Sequence, residues 1–491
     1  MAVQRRKLLP NMAKSLYSPT TVPMAANFCD LPTEIWLLIA HYLSKSQLSK
    51  LKSVNSFFLN CWMDLEWKHV FISITPTFSK TIALFTVRLL RRVVEPLVSV
   101  RVKQMSISLN LEKYDSASPS NTTLSTTLKV LHLLPNINSL YIKVIECSTF
   151  HVFFRTIISS GVARKLQKLE LSGHANAYAS LGESAHNAPF ENLTELIITL
   201  SSDSAQINSS LTLEPLLRSL ASNLRILHIH AHSPELDLSP LFDALLRPLS
   251  QHDTRRVLFP NLKSLFLNLD CDKPFRSSPR SLHYFLLAHS NLQHLYLNML
   301  SFWRNNDAGH GLGDLADLPN NDFQYPSLQS LTIYLFAPQV RLSALIGHSA
   351  RTLSSLKLLG RYLTFEEAKQ AVDALTASQV QGQVTEQVPK KLKSLSMNIT
   401  QFSVSFLDLL AHKFPQLESL SLSVGAIIGS DQVCFPQSFI STRLKYTSYS
   451  IRFTISSATD GTTPTSHVPK ETYCTAGNCT SSKFGKSGNT R

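Results

Sequence analysis

Phe259-Pro260-Asn261-Leu262-Lys263-Ser264-Leu265-Phe266-Leu267-Asn268 is the stretch whose reading decides the fold. Its apolar residues follow a fixed pattern: one apolar position, two variable, a second apolar, one variable, a third apolar, filled here by Leu262, Leu265 and Leu267. The signature returns at Ile137-Leu140-Ile142, Leu166-Leu169-Leu171, Leu193-Leu196-Ile198, Leu224-Leu227-Ile229, Leu292-Leu295-Leu297, Leu328-Leu331-Ile333, Leu353-Leu356-Leu358, Leu392-Leu395-Met397 and Leu417-Leu420-Leu422, with a weaker copy at Val102-Met105-Ile107. Starts lie from 25 residues apart (Leu328 to Leu353) to 39 (Leu353 to Leu392). Several copies are entered through Pro or Asn, as in Tyr325-Pro326-Ser327-Leu328 and Phe414-Pro415-Gln416-Leu417.

The last two apolar positions of each copy are one residue apart, which is strand periodicity and turns both side chains to one face. Between copies the apolar spacing becomes helical, as in Leu211–Leu220, Leu241–Leu249, Leu282–Leu287, Phe365–Leu375 and Phe406–Leu410. Such a strand-helix unit buries its apolar face only by stacking on its neighbours, the logic of a solenoid. Strands stack ~4.8 Å apart while helices need roughly 8–10 Å, so the array is expected to curve with its strands on the concave side. The expected class is α/β, with the solenoid over residues 74–455. The pattern resembles leucine-rich repeats in a degenerate form: the regular Asn after the strand is missing, and the spacing exceeds the usual ~20–29 residues.

A different pattern precedes it. In Leu31-Pro32-Thr33-Glu34-Ile35, the Pro suits a helix start. Ile35, Leu38, Ile39, Tyr42 and Leu43 then share one helical face. After the polar break Ser44-Lys45-Ser46, Leu48, Leu51 and Val54 continue the period, and Phe57, Phe58, Cys61 and Trp62 form a third stripe ending near Trp67. Roughly forty residues rarely close a core alone, so the surplus of large apolar side chains is expected to be covered by another protein.

These residues resemble the F-box, whose pattern opens with Leu-Pro and closes with Val-Cys and an aromatic residue. Asn55 stands where the family has Cys, and Gln47 where an Asp often precedes the Leu. The domain reading is a flexible leader at 1–27, an F-box at 28–73, the repeats, and a Ser/Thr/Gly/Pro-rich disordered tail at 456–491. The resemblance implies a non-catalytic substrate receptor of a Skp-cullin-F-box ubiquitin ligase. Leu31, Pro32, Ile35, Ile39, Leu43, Leu48, Leu51, Val54 and Phe58 would dock a Skp-type adaptor and, through it, a cullin scaffold, while the repeats hold a protein target. Catalysis would then be proximity supplied to other subunits. Two alternatives stay open: a repeat scaffold outside any ligase, and a basic RNA-associated repeat protein.

Composition bounds these readings. Seven scattered cysteines without a Cys-x-x-Cys pair favour a reducing compartment, giving an expected cytoplasmic or nuclear location. The net charge of +14 is diffuse, with Arg5, Arg6 and Lys7 in the leader and Arg88, Arg91 and Arg92 after the F-box, and reads as solvated faces rather than a nucleic-acid groove. Ile82 to Val98 is too broken by arginine to span a membrane and is expected to be an amphipathic helix.

Side chains between the inward Leu and Ile positions should form the reading surface. The middle copies place His228, His230, Phe266, Asn268, His294, Tyr296, Asn298 and Tyr334 there, rings and amides of the kind that anchor partners, whereas the late copies place only serines such as Ser394, Ser396, Ser419 and Ser421. These middle residues are the expected substrate-binding set. His228, His230 and His232 alternate on one strand, but no acidic residue or Cys completes a metal site. Gly485-Lys486-Ser487 lacks the Gly a phosphate loop needs, and Gly309-x-Gly311-x-Gly313 reads as a loop. Tyr114–Thr127, Ala175–Pro189, Arg304–Tyr325 and Thr376–Lys391 read as interrupting loops. No cofactor is implied, and no catalytic constellation stands out.

Overall fold

The computed structural model describes residues 31–74, 80–109, 119–144, most of 154–174, Tyr178, 190–201, 213–232, 236–247, 258–270, most of 275–299, 327–335, most of 346–377, 392–427, 448–454 and 471–475. The leader at 1–27 and the glycine-bearing 304–325 stretch lie outside these residues. The chain divides into a unit ending at Glu66 and a second beginning at Trp67.

The first unit is three helices: α1 (Thr33–Tyr42), α2 (Lys45–Leu51) and α3 (Ser56–Trp67). Pro32 is itself the N-cap of α1, and its carbonyl accepts from the Ile35 and Trp36 amides at 3.0 and 3.3 Å. Ser44-x-x-Gln47 forms a reciprocal capping box on α2: Gln47 N–H donates to Ser44 Oγ at 3.3 Å and Ser44 N–H to Gln47 Oε1 at 2.8 Å. Asn55 starts α3 by accepting from the Phe58 amide at 2.9 Å. The two positions that depart from the F-box pattern, Gln47 and Asn55, therefore each satisfy a helix start.

The second unit is one open sheet in sequence order: β1 (His69–Ile74), β2 (Gln104–Leu109), β3 (Ser139–Val144), β4 (Lys168–His174), β5 (Glu195–Ser201), β6 (Ile226–His232), β7 (Ser264–Leu269), β8 (His294–Met299), β9 (Ser330–Leu335), β10 (Ser355–Leu363), β11 (Ser394–Phe402), β12 (Ser419–Ile427), β13 (Ser448–Thr454) and β14 (Glu471–Thr475). Neighbours from β1 to β13 are parallel, and β14 returns antiparallel on β13. The sheet therefore begins inside the span assigned to the F-box and includes a strand inside the span read as a tail; the rest of 456–491 is outside the described residues.

Register follows the repeat. Leu140, Leu169, Leu196, Leu227, Leu265, Leu295 and Leu331 are paired in one unbroken column. All three apolar positions in all eleven copies are buried. Truncating one such leucine to Ala typically costs ~2–5 kcal/mol. Repeats are also tied at strand entry: Asn136, Asn192, Asn223, Asn261 and Asn291, each just before the first apolar position, donate from Nδ2 to the carbonyls of Val100, Arg164, Glu191, Ser222 and Pro260 in the preceding repeat, at 2.6–3.0 Å.

Helices cover the other face. Among the described residues they include α4 (Lys80–Val93), α5 (Pro96–Ser99), α6 (Pro119–Leu131) and then Glu214–Leu220, Ser239–Leu246, Ser281–Ala288, Phe365–Ala377 and Val404–Lys413. α4 begins where the amphipathic segment was expected and buries Ala83, Thr86, Leu90 and Val93. Among the described residues no helix is long and apolar enough to cross a membrane. The reading of Tyr114–Thr127 as a loop is corrected: from Pro119 it is helix α6, with Thr123 and Thr127 fully buried and Thr127 Oγ1 donating to the Thr123 carbonyl at 2.8 Å. Bonding back to the preceding turn lets a threonine hide its hydroxyl inside a helix. The expected loop at Ala175–Pro189 is described only at Tyr178, which is buried and donates to the Thr199 carbonyl at 3.1 Å.

Candidate functional site

Two surfaces carry the candidate residues. In the helical unit α1 buries none of its ten residues. Leu31, Pro32, Ile35 and Val54 are exposed, and Ile39, Leu43 and Leu51 half-buried. Leu48 and Phe58, expected to dock a partner, are instead buried at 1% and 5% exposure and hold the unit together. Trp36 joins them, its ring meeting Phe58 edge-on at 5.4 Å and Phe57 at 6.0 Å. Lys45 reaches from α2 to Glu66 on α3 at 2.7 Å, and the Lys52 ammonium lies 4.3 Å over the Trp62 ring. Leu37, Leu38, Tyr42, Leu59 and Leu65, outside the expected docking set, are exposed large apolar side chains. Spacing alone placed Leu38 and Tyr42 on an apolar stripe but could not say whether that stripe turned inward.

On the sheet, the outward positions fall into rows fixed by the register. One row runs Tyr141, Glu170, Ile197, His228, Phe266, Tyr296, Thr332 and Lys357. The next contains Thr199, His230, Asn268, Asn298 and Tyr334, and the one toward strand entry contains Ile226, Ser264, His294 and Ser330. The eight expected residues are thus brought together on four consecutive strands.

Their contacts follow the rows. His228 stacks on Phe266 with centroids 4.0 Å apart and planes 15° apart, Phe266 lies 5.7 Å from Tyr296, and Tyr296 lies 5.5 Å from Tyr334. In the adjacent row Asn298 Nδ2 donates to Asn268 Oδ1 at 2.7 Å, and Asn268 Nδ2 donates to His230 Nδ1 at 3.2 Å. That direction requires the His230 proton on Nε2. Asn298 Oδ1 closes the ladder as a buried acceptor with no partner among the described residues. Burial pushes the His228 imidazole down to about 4 and holds His230 below its ordinary value, so both rings are neutral near pH 7. Burial, with Tyr334 adding to it, raises the Tyr296 phenol to about 12.

Charge begins at the borders. On β4 and β5, Lys168 pairs with Glu195 at 2.6 Å, and burial raises the Glu170 carboxyl above its ordinary value. These residues and Ile197 were not singled out in the sequence, although the same alternation places them. Among the described residues no group of three or more His, Cys, Asp or Glu is placed to hold a metal.

No protein-family model matches the chain, and no curated protein matches it. Among solved structures it is similar to a Bacteroides fragilis protein determined as a Northeast Structural Genomics Consortium target, with 12% identity, a TM-score of 0.28, and coverage of 76% of this chain and 72% of that one. A likeness of that size bears on neither identity nor activity.

Proposed function

We propose that the chain is the substrate-recognition subunit of a Skp-cullin-F-box ubiquitin ligase, with the helical unit docking a Skp-type adaptor and the leucine-rich repeats holding a protein target inside the cell. The observation that carries this reading is α1: ten helical residues, none buried, with Ile35, Leu37, Leu38 and Tyr42 between 41% and 80% exposed and Leu31 exposed just before it. An apolar face of that kind is stable in water when another protein covers it, in the manner of a helix laid against a groove. The receptor has no bond to break itself; it raises the local concentration of target near another subunit's reactive centre.

Co-expression with a Skp-type adaptor tests the reading. Full-length protein should retain the adaptor through purification, and a Leu31→Ala/Pro32→Ala variant should lose it with its circular dichroism unchanged. Equal recovery by both proteins, or recovery by neither, overturns adaptor docking and leaves a repeat scaffold outside a ligase.

A further inference from the structure

We propose that the face of β6–β9 receives an extended segment of the target protein that carries no charged side chain where it crosses these strands. The inference rests on the reading of the repeats as a target-binding surface and adds the chemistry of what they bind. Three outward positions on each of the four strands hold His, Phe, Tyr, Asn, Ser, Thr and Ile, and no Lys, Arg, Asp or Glu. This stands out in a chain of net charge +14. The neutral field ends at Glu170 and the Lys168–Glu195 pair on one side, at the exposed Lys357 on the other, and at the exposed Asp270 just past the end of β7.

Four strands ~4.8 Å apart span roughly 14 Å, which an extended chain crosses in about four to five residues. A charged side chain laid there would lose water without meeting an opposite charge, a cost of several kcal/mol. Neutral groups meet no such penalty: Phe266 and Tyr296 offer apolar area, and the amide row offers donors and acceptors. Discrimination against charged segments then comes from the missing counter-ion rather than from an added clash.

The test is selection of a phage-displayed library of random short peptides on the full-length protein, followed by binding of the enriched peptides to three variants. Enriched sequences should share an uncharged core. Phe266→Ala/Tyr296→Ala should weaken them at least ~10-fold, as loss of an aromatic anchor does. Thr332→Glu, a substitution at a partly exposed position that spares the rings, should weaken neutral peptides and enrich basic ones when selection is repeated, while Ser396→Ala on β11 leaves binding unchanged. Charged residues within the enriched core, equal binding to all variants, no enrichment, or enrichment replaced by salt-sensitive RNA retention each overturn the proposal. No adaptor is present in this experiment, so its failure is separate from failure of adaptor docking.

Discussion

His228 on β6 and Phe266 on β7 occupy paired positions and lie nearly face to face, at 4.0 Å and 15°. The contact packs a ring that must stay neutral against one that cannot ionise. Burial depresses His228 most, the charges of His230 and Lys168 act in the same direction, and Glu195 opposes them.

Acid should therefore weaken the fold. The folded-state value of about 4 lies below the ordinary 6.5, so in that window the unfolded chain binds more protons; stability is full above about pH 6.5 and falls as the pH drops toward 4. His230, depressed for the same reason, adds to the slope. Urea midpoints measured from pH 7 to pH 4 should decline less in a His228→Gln/His230→Gln variant than in the parent. Part of the decline should remain, because burial also depresses His289 behind the sheet.

Gly360→Ala should destabilise the second unit by at least ~2 kcal/mol, read as a lowered urea midpoint at unchanged slope. Gly360 has φ +90°, and a Cβ there would stand 2.3 Å from the Leu335 carbonyl oxygen on the neighbouring strand. The same glycine's carbonyl accepts from Asn398 Nδ2 at 3.1 Å, and beyond it β10 shifts register against β11. No side chain fits that bend.

Arg218→Ala should cost about 2–3 kcal/mol in the same measurement. Arg218 is a 10% exposed side chain that pairs with Glu214 at 2.7 Å and donates to the carbonyls of Ala244 and Arg247 at the end of the next helix. Its removal takes a donor from the Glu214 carboxylate and the Arg247 carbonyl, while the Ala244 carbonyl keeps the Arg247 amide at 3.1 Å. Arg218→Lys should recover only part of the loss, because one ammonium cannot reach three acceptors in a plane.

Leu48→Ala and Leu38→Ser should separate folding from docking. Leu48 is buried, so its truncation should lower the melting temperature of the helical unit by an amount corresponding to ~2–4 kcal/mol. Leu38 is 53% exposed, so its replacement should leave melting unchanged and abolish adaptor retention. Adaptor retention by Leu38→Ser would count against α1 as the docking helix.

The sheet was legible because Leu-x-x-Leu-x-Leu reports side-chain direction directly: Leu227 and Ile229 had to face one way and His228 the other. Less legible was whatever depends on a distant neighbour. Val70, Ile72 and Ile74 alternate as a strand should, yet β1 went unread because only Met105 and Ile107, thirty-five residues on, give it a partner. Thr123 and Thr127 look like loop residues until helix α6 supplies the carbonyl that takes the hydroxyl. Leu48 and Phe58 carry the same apolar signal as Leu38, and only the packing of Trp36 distinguishes an inner residue from an outer one. The Pro or Asn entry shared by several copies was visible, but the acceptors of its Asn side chains lie 28 to 39 residues back.

At each strand entry from β2 to β12, the later repeat supplies the amide hydrogens and the earlier repeat supplies the oxygen, as when Lys263 and Ser264 donate to Arg225. The asparagine side chains run the same way. A chain leaving the ribosome builds from its amino end, so at its strand entry every new repeat meets an acceptor already in place. Removing the carboxyl-terminal repeat therefore frees oxygens at the strand entry, while the ladder beyond it loses donors and acceptors alike. Hydrogen-bond order at the entries thus follows the order of synthesis, each repeat offering its oxygen before the next one arrives.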